Sequence, residues 1–60
     1  MKVGTEMIGK RVYIRLRVGG SYTGVIQKTT GTETEIQVED GVVHVQNGMM
    51  ASLQVLEVKQ

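Results

Sequence analysis

The clearest pattern in the chain is a strict alternation of apolar and polar residues between positions 11 and 18. The apolar set consists of Val12, Ile14, Leu16 and Val18. The polar set, which contains three arginines, consists of Arg11, Tyr13, Arg15 and Arg17. Because successive side chains of a strand point to opposite faces, this period predicts a first strand with one buried and one solvent-exposed face.

A second extended segment follows directly after a glycine turn. Gly19-Gly20-Ser21 predicts the turn, because glycine reaches positive φ without steric cost. The second strand is predicted from about Tyr22 to Thr29. Gly24 lies inside it and predicts a bulge or a sharp bend, where two backbones approach closely.

The second half of the chain predicts three more strands. In the third strand Thr34, Ile36 and Val38 are expected to face inwards. The residues expected to face water are Glu33, Glu35, Gln37 and Glu39. Asp40-Gly41 is a strong signal for a tight hairpin. The remaining predicted elements are a fourth strand over 42–46, a single 3₁₀ turn within 47–51 and a fifth strand from Ser52 to about Val58.

The predicted fold is a single all-β domain over residues 1–60, built as a small, five-stranded, strongly bent antiparallel barrel. Five short strands separated by tight turns with glycine at the bends are typical of such barrels. One helical turn is predicted before the first strand over residues 5–9, with Thr5 as its N-cap and Gly9 as its end.

The composition restricts how so short a chain can be stabilised. A 60-residue domain buries only about 60% of the surface that its unfolded chain exposes, and small scaffolds usually add disulfides, a metal or a partner subunit. The chain has no Cys and one His, His44, so we predict no disulfide, no metal and no cofactor. Self-association is therefore the expected source of additional burial.

The last two predicted strands carry apolar residues on both faces, which is typical of strands that are covered on both sides. We expect the fourth strand of one copy to pair with the fifth strand of the next, in a head-to-tail arrangement that closes into a ring. The predicted interface residues are Val42, Val43, Val45, Leu53, Val55, Leu56 and Val58.

Charge is distributed unevenly along the chain, although the formal net charge is only +1. Residues 1–30 hold six Lys and Arg against one Glu, and residues 31–60 hold one Lys against five Asp and Glu. Such polarity steers a polyanion to one surface, or else it forms ion pairs between strands or between subunits. Both interpretations stay open at the level of the sequence.

No segment is long and apolar enough to cross a bilayer, and the first residues lack the apolar run of a signal peptide. The sequence thus predicts a cytoplasmic protein that does not enter membranes, of cellular or phage origin. Enzyme chemistry is not expected, because no set of nucleophile, base and orienting group is evident among two serines, one histidine and no cysteine.

The order of these features resembles the Sm/LSm family of small barrels. The resemblance rests on the segment from Met7 to Leu16, on Gly20, Tyr22 and Gly24-Val25-Ile26, and on Val43 to Gly48 followed by Leu53 to Leu56. It implies a ring of about five to seven subunits that binds single-stranded RNA near its pore. The family's two base-reading segments correspond here to Thr30–Thr34 and to Asn47-Gly48, and neither carries the family's residues. The resemblance therefore implies binding with little sequence selectivity.

Phosphate binding needs clustered cations and base stacking needs an aromatic face, so the first strand and the two loops supply the candidate site. The candidate residues are Arg11, Arg15, Arg17 and Lys28 for charge, Tyr13 for stacking, and Thr30, Thr32 and Asn47 as loop contacts. The alternatives are a solvated or glutamate-paired outer face and an Asn-Gly segment that only forms a turn. The alternative function is an SH3-like protein-interaction or assembly module.

Overall fold

The computed structural model describes residues 2–56 and is an all-β domain, as predicted. Its five strands are β1 (Arg11–Leu16), β2 (Ser21–Thr29), β3 (Glu33–Val38), β4 (Gly41–Gln46) and β5 (Met50–Val55). A first 3₁₀ turn covers Thr5–Met7, and a second 3₁₀ turn, Asn47–Met49, connects β4 to β5. The predicted positions of all five strands are thereby confirmed to within a few residues.

The strands form one antiparallel sheet in the order β4-β3-β2-β1-β5, which is bent rather than closed by hydrogen bonds. The long strand β2 makes the bend: β1 pairs with Ser21–Val25, and β3 pairs with Val25–Thr29. Gly24 is buried at this bend. A Cβ at this position would overlap the carbonyl oxygen of Gln37, so β3 crosses here only because Gly24 has no side chain.

The concave face of the bent sheet holds the core. Its fully buried side chains come from alternate positions of the strands, as the period of two predicts. The core consists of Val3, Val12, Ile14, Ile26, Ile36, Val45 and Met50, with Met7, Leu16, Tyr22, Val38, Val43 and Leu53 partly buried against it. Thr34 is also fully buried and faces this side, in agreement with the inward set expected for β3.

The structure corrects the predicted boundaries of the first strand and of the first helical turn. The alternation breaks where the register with β5 shifts between Arg15 and Leu16, and β1 ends there. Val18, expected to face inwards, is therefore 73% exposed in the turn to β2. The first 3₁₀ turn has Gly4 rather than Thr5 as its N-cap and no side-chain capping bond.

The fifth strand also differs from its prediction. It begins at Met50 instead of Ser52, because the second 3₁₀ turn takes only three residues. Its outward positions carry Ser52 and Gln54, whereas Leu53 and Val55 are paired with the inward residues of β1. The prediction that β5 is apolar on both faces is therefore wrong for Met50–Val55. Val58 lies outside the described residues.

Candidate nucleic-acid interface

The outer face of β1 carries a basic stripe, defined here as Arg11, Tyr13 and Arg15. Both arginines are exposed and Tyr13 is half-buried between them. From Arg11 to Arg15 the stripe extends about 13 Å, at the usual rise of a strand. Three of the four candidates predicted on the first strand thus share one surface, as the alternation predicts.

Only neutral residues flank the basic stripe in the two neighbouring strands. On the β2 side, Arg11, Tyr13 and Arg15 are opposite Val25, Thr23 and Ser21. On the β5 side, Tyr13 and Arg15 are opposite Gln54 and Ser52. Small or neutral neighbours leave the guanidinium groups accessible, so the stripe combines two cations and one aromatic ring on an open sheet surface.

Four of the five acidic residues within residues 2–56 lie on the other half of the sheet, and the fifth, Glu6, lies in the first 3₁₀ turn. Glu33 and Glu35 face outwards from β3, and Glu39 and Asp40 form the turn to β4. Among residues 2–56 the close contact between a basic and an acidic side chain is that of His44 Nε2 with Glu35 Oε1, at 3.3 Å. Within the described chain the arginines of the basic stripe are therefore not paired with glutamates, which does not support ion pairing between strands as the interpretation of the charge pattern.

Arg17 and Lys28 are both exposed but lie away from the stripe. Arg17 follows the end of β1; its Nε donates to the carbonyl oxygen of Gly48 at 3.0 Å, and its backbone N–H donates to Met49 O at 2.9 Å. Lys28 borders a depression that is also lined by Glu33, Glu35 and His44, so two carboxylates lie close to its charge. These two cations are therefore not part of the basic stripe, and Lys28 shares its depression with the predicted loop contact Thr30.

Asn47, predicted as a loop contact, is 4% exposed and forms the centre of a hydrogen-bonded clasp. Its Oδ1 accepts from the Thr34 hydroxyl at 2.6 Å, its Nδ2 donates to Thr30 O at 2.9 Å, and its backbone N–H donates to Thr32 O at 2.8 Å. These bonds fasten the second 3₁₀ turn to the loop between β2 and β3. The side chain serves the fold, because both ends of its amide are engaged in the interior.

Thr30 and Thr32, the other predicted loop contacts, are exposed. The Thr30 Oγ1 accepts from the backbone N–H groups of Thr32 and Glu33, at 3.3 and 3.1 Å, so this hydroxyl holds the turn. The Thr32 Oγ1 lies 3.5 Å from the Thr30 Oγ1. The loop candidates are therefore close together, but the hydroxyl of Thr30 is directed to the loop itself.

The predicted interface residues have different surroundings. Val42 faces outwards from β4 and is 49% exposed, and Val55 at the end of β5 is 36% exposed. Val43, Leu53 and Leu56 are half-buried. Val45 is buried in the chain's own core, so its side chain is not on a surface that a second copy would cover. Val45 faces inwards because the side chains of β4 alternate and Val45 pairs with the inward-facing Thr34.

The two outermost strands keep unpaired backbone edges. The backbone N–H and C=O groups of successive residues in an antiparallel strand point alternately to its two sides. Because Asn47 N–H donates to Thr32 O, the backbone groups of Val42, His44 and Gln46 point away from β3. By the same reasoning, the bond from Leu56 N–H to Arg11 O directs those of Leu53 and Val55 away from β1. Within the described residues, β4 and β5 are thus open edges at opposite ends of the sheet.

A groove of about 480 Å³ extends from the basic stripe towards the end of β3 and was not predicted. Arg11 lines one side, residues 23–25 of β2 lie between, and residues 37–39 line the other side. Arg11, Val25 and Gln37 occupy one row across three strands. No signal in the sequence gives this row, because it depends on the register at the bend.

Comparisons of the chain with protein-family models, with curated proteins and with solved structures found no match. The described residues contain no group of three or more His, Asp or Glu arranged to hold a metal ion. No helix within residues 2–56 has the length and hydrophobicity needed to cross a membrane. The surface geometry of this chain is therefore the basis of its proposed function.

Proposed function

We propose that the protein binds single-stranded RNA or DNA on the basic stripe of β1, with little dependence on sequence. The observation that carries this proposal is the accessible alternation of Arg11, Tyr13 and Arg15, whose guanidinium groups form no ion pair within the described chain. Cations contact phosphates and an aromatic ring stacks on a base, and the two together are typical of sheet surfaces that bind single strands.

The distribution of charge supports the same orientation of the ligand. Glu33, Glu35, Glu39 and Asp40 lie on β3 and its turn, two strands away from the stripe. A polyanion is repelled from that half of the sheet and attracted to the β1 half, so it is steered to the stripe. A duplex does not expose its base faces to Tyr13, whereas a single strand does.

The proposal includes self-association of the domain through its two open edges. Exposed edge strands pair with other chains unless they are blocked by Pro, charge or a covering segment. Here β4 and β5 lie at opposite ends of the sheet, so pairing β4 of one copy with β5 of the next is a head-to-tail contact that forms a ring if the rotation closes. Such a ring repeats the basic stripe once in every subunit and raises the avidity for a long strand.

A titration with a fluorescent oligonucleotide tests the binding site. The affinity should fall steeply as the salt concentration rises, because phosphate contacts release counterions. Arg11→Ala with Arg15→Ala should lower the low-salt affinity about tenfold or more and reduce the slope of log K against log salt by about 1.4, at about 0.7 for each lost phosphate contact on a single strand. Circular dichroism should show that this double variant keeps its fold, since both side chains are exposed.

The matched control removes two cations that lie off the stripe. Lys2→Ala with Lys28→Ala changes the net charge by the same amount, and both lysines are exposed. We expect it to change the affinity by less than about threefold, because it leaves the phosphate contacts in place. Equal losses in the two double variants would mean that only net charge matters. Absence of binding at low salt would instead favour the protein-interaction function.

The head-to-tail contact has its own test, light scattering of the purified protein. Val55→Pro removes an N–H that points to the open edge and leaves the bonds of β5 to β1 intact, so it should yield a folded monomer. Val55→Ala keeps the N–H and should still associate. A wild-type protein that stays monomeric at high concentration would remove the ring from the proposal.

A further inference from the structure

We infer that the groove beside Arg11 is a base-selective subsite that prefers nucleobases with an exocyclic amino group over uracil and thymine. This inference rests on the proposed function, because the groove is continuous with the basic stripe through Arg11. Its volume of about 480 Å³ is ample for one base and lies within the range of small-ligand sites.

The groove has an apolar floor between two polar sides. Val25 lies in register between Arg11 and Gln37, with strands about 4.8 Å apart, so roughly 10 Å separates the two polar positions. A base that lies on Val25 covers apolar surface with its flat face. Its phosphate then lies on the Arg11 side, and its Watson–Crick edge is directed towards residues 37–39, at the end of β3 and the start of the turn to β4.

The polar groups at that far side define which edge fits. Gln37 Oε1 already accepts from Gln27 Nε2 at 2.8 Å, so the Gln37 amide presents its Nε2 as a donor. Glu39, at the end of β3, presents a carboxylate, which only accepts. A donor beside an acceptor matches the edges of cytosine and adenine, where an amino group adjoins a ring nitrogen that accepts.

Uracil and thymine fit this pair of groups less well. One carbonyl oxygen can accept from the Gln37 amide, but the ring N–H lies between two carbonyl oxygens, so a carboxylate that accepts from it also meets the partial negative charge of the second. Charge complementarity therefore selects the occupant: Arg11 attracts the phosphate and Glu39 attracts the amino group, on opposite sides of one groove. Within the described residues no ion pair joins Arg11 to Glu39, so neither charge is neutralised by the other.

The test compares short homopolymers of one length, oligo-dC, oligo-dA and oligo-dT with their RNA counterparts, by fluorescence anisotropy at low salt. We expect dC and dA, and likewise rC and rA, to bind about fivefold more tightly than dT and rU, the lower end of discrimination by a well-placed base contact. Equal affinities for all homopolymers would overturn the inference and leave the proposed function intact. Loss of all binding would overturn both.

A pair of isosteric variants separates the groove from general electrostatics. Glu39→Gln replaces the acceptor by an amide that donates as well as accepts, so the preference should fall to about onefold. Asp40→Asn removes the same charge from the next residue, which does not line the groove, and should keep the fivefold ratio. Both residues are exposed in a turn, and circular dichroism checks that both variants fold. An unchanged ratio in Glu39→Gln would overturn the inference.

Discussion

The basic stripe of β1 and the clasp around Asn47 are both rich in groups that bind nucleic acid, yet the structure uses them in opposite ways. The guanidinium groups of Arg11 and Arg15 form no ion pair within the described chain. In the clasp, both ends of the Asn47 amide and the hydroxyls of Thr30 and Thr34 bond to one another or to the backbone. One region has its polar groups directed to solvent and the other to the fold.

A polar residue type therefore indicates a binding site only when the fold does not need its hydrogen-bonding groups. A buried polar group must be satisfied internally, because leaving it unpaired costs about 1–3 kcal/mol. Asn47 lies at a point where two loops meet, so its amide replaces backbone bonds that the irregular segments lack. The side chains of Arg11 and Arg15 do not have to replace backbone hydrogen bonds, because β1 forms these with the neighbouring strands.

The largest expected effect comes from breaking the clasp. Asn47→Ala removes the amide donor to Thr30 O and the amide acceptor of the Thr34 hydroxyl, and leaves the Thr29 hydroxyl as the remaining partner of both groups. The free energy of unfolding should therefore fall by about 2 kcal/mol. For a domain of this size the melting temperature should drop by about 10 °C or more. The melting temperature is measured by thermal denaturation monitored with circular dichroism.

The neighbouring Gln46→Ala is the matched control, because Gln46 is exposed on β4 and should change the melting temperature little. The comparison also requires that folded Asn47→Ala still binds an oligonucleotide with nearly wild-type affinity at a temperature well below its transition. A stable Asn47→Ala protein with greatly weakened binding would mean that Asn47 contacts the ligand after all.

A smaller effect is expected from the aromatic residue of the stripe. Tyr13→Leu keeps an apolar side chain at a half-buried position but removes the π-face, so oligonucleotide affinity should fall about fivefold, the low end for one stacked base. Tyr13→Phe should restore the affinity. Anisotropy titrations of the two variants decide the matter, and equal weakening by both substitutions would point to the hydroxyl instead of the ring.

Several parts of this molecule were accessible from the sequence because they depend on local pattern. The inward residues Val12, Ile14 and Ile36 follow from the period of two, and Gly24 marks the bend where β3 crosses. The basic stripe follows from the same alternation. Its accessibility does not, because it depends on which residues of β2 and β5 lie opposite.

The parts that escaped prediction depend on contacts between distant segments. Asn47 is buried against Thr30 and Thr34, its hydrogen-bond partners, which lie 17 and 13 residues away in the sequence. An Asn-Gly pair alone is typical of an exposed turn. Val18 does not face inwards, as its place in the alternation predicted, because the register with β5 shifts after Arg15. The row from Arg11 to Gln37 needs the register of three strands, which no local pattern contains.

The smallest expected effect comes from Thr32, in the exposed part of the loop between β2 and β3. A substitution there tests whether the ligand contacts this loop or only the basic stripe. The Thr32 backbone carbonyl accepts from Asn47 N–H, but its side chain has only a 3.5 Å approach to the Thr30 hydroxyl. Thr32→Ala should therefore change the free energy of unfolding by less than about 0.5 kcal/mol and the oligonucleotide affinity by less than about twofold. Chemical denaturation and anisotropy measure the two. If Thr32→Ala leaves the fold unchanged but weakens binding more than fivefold, the ligand contacts this loop and the basic stripe is not the whole site.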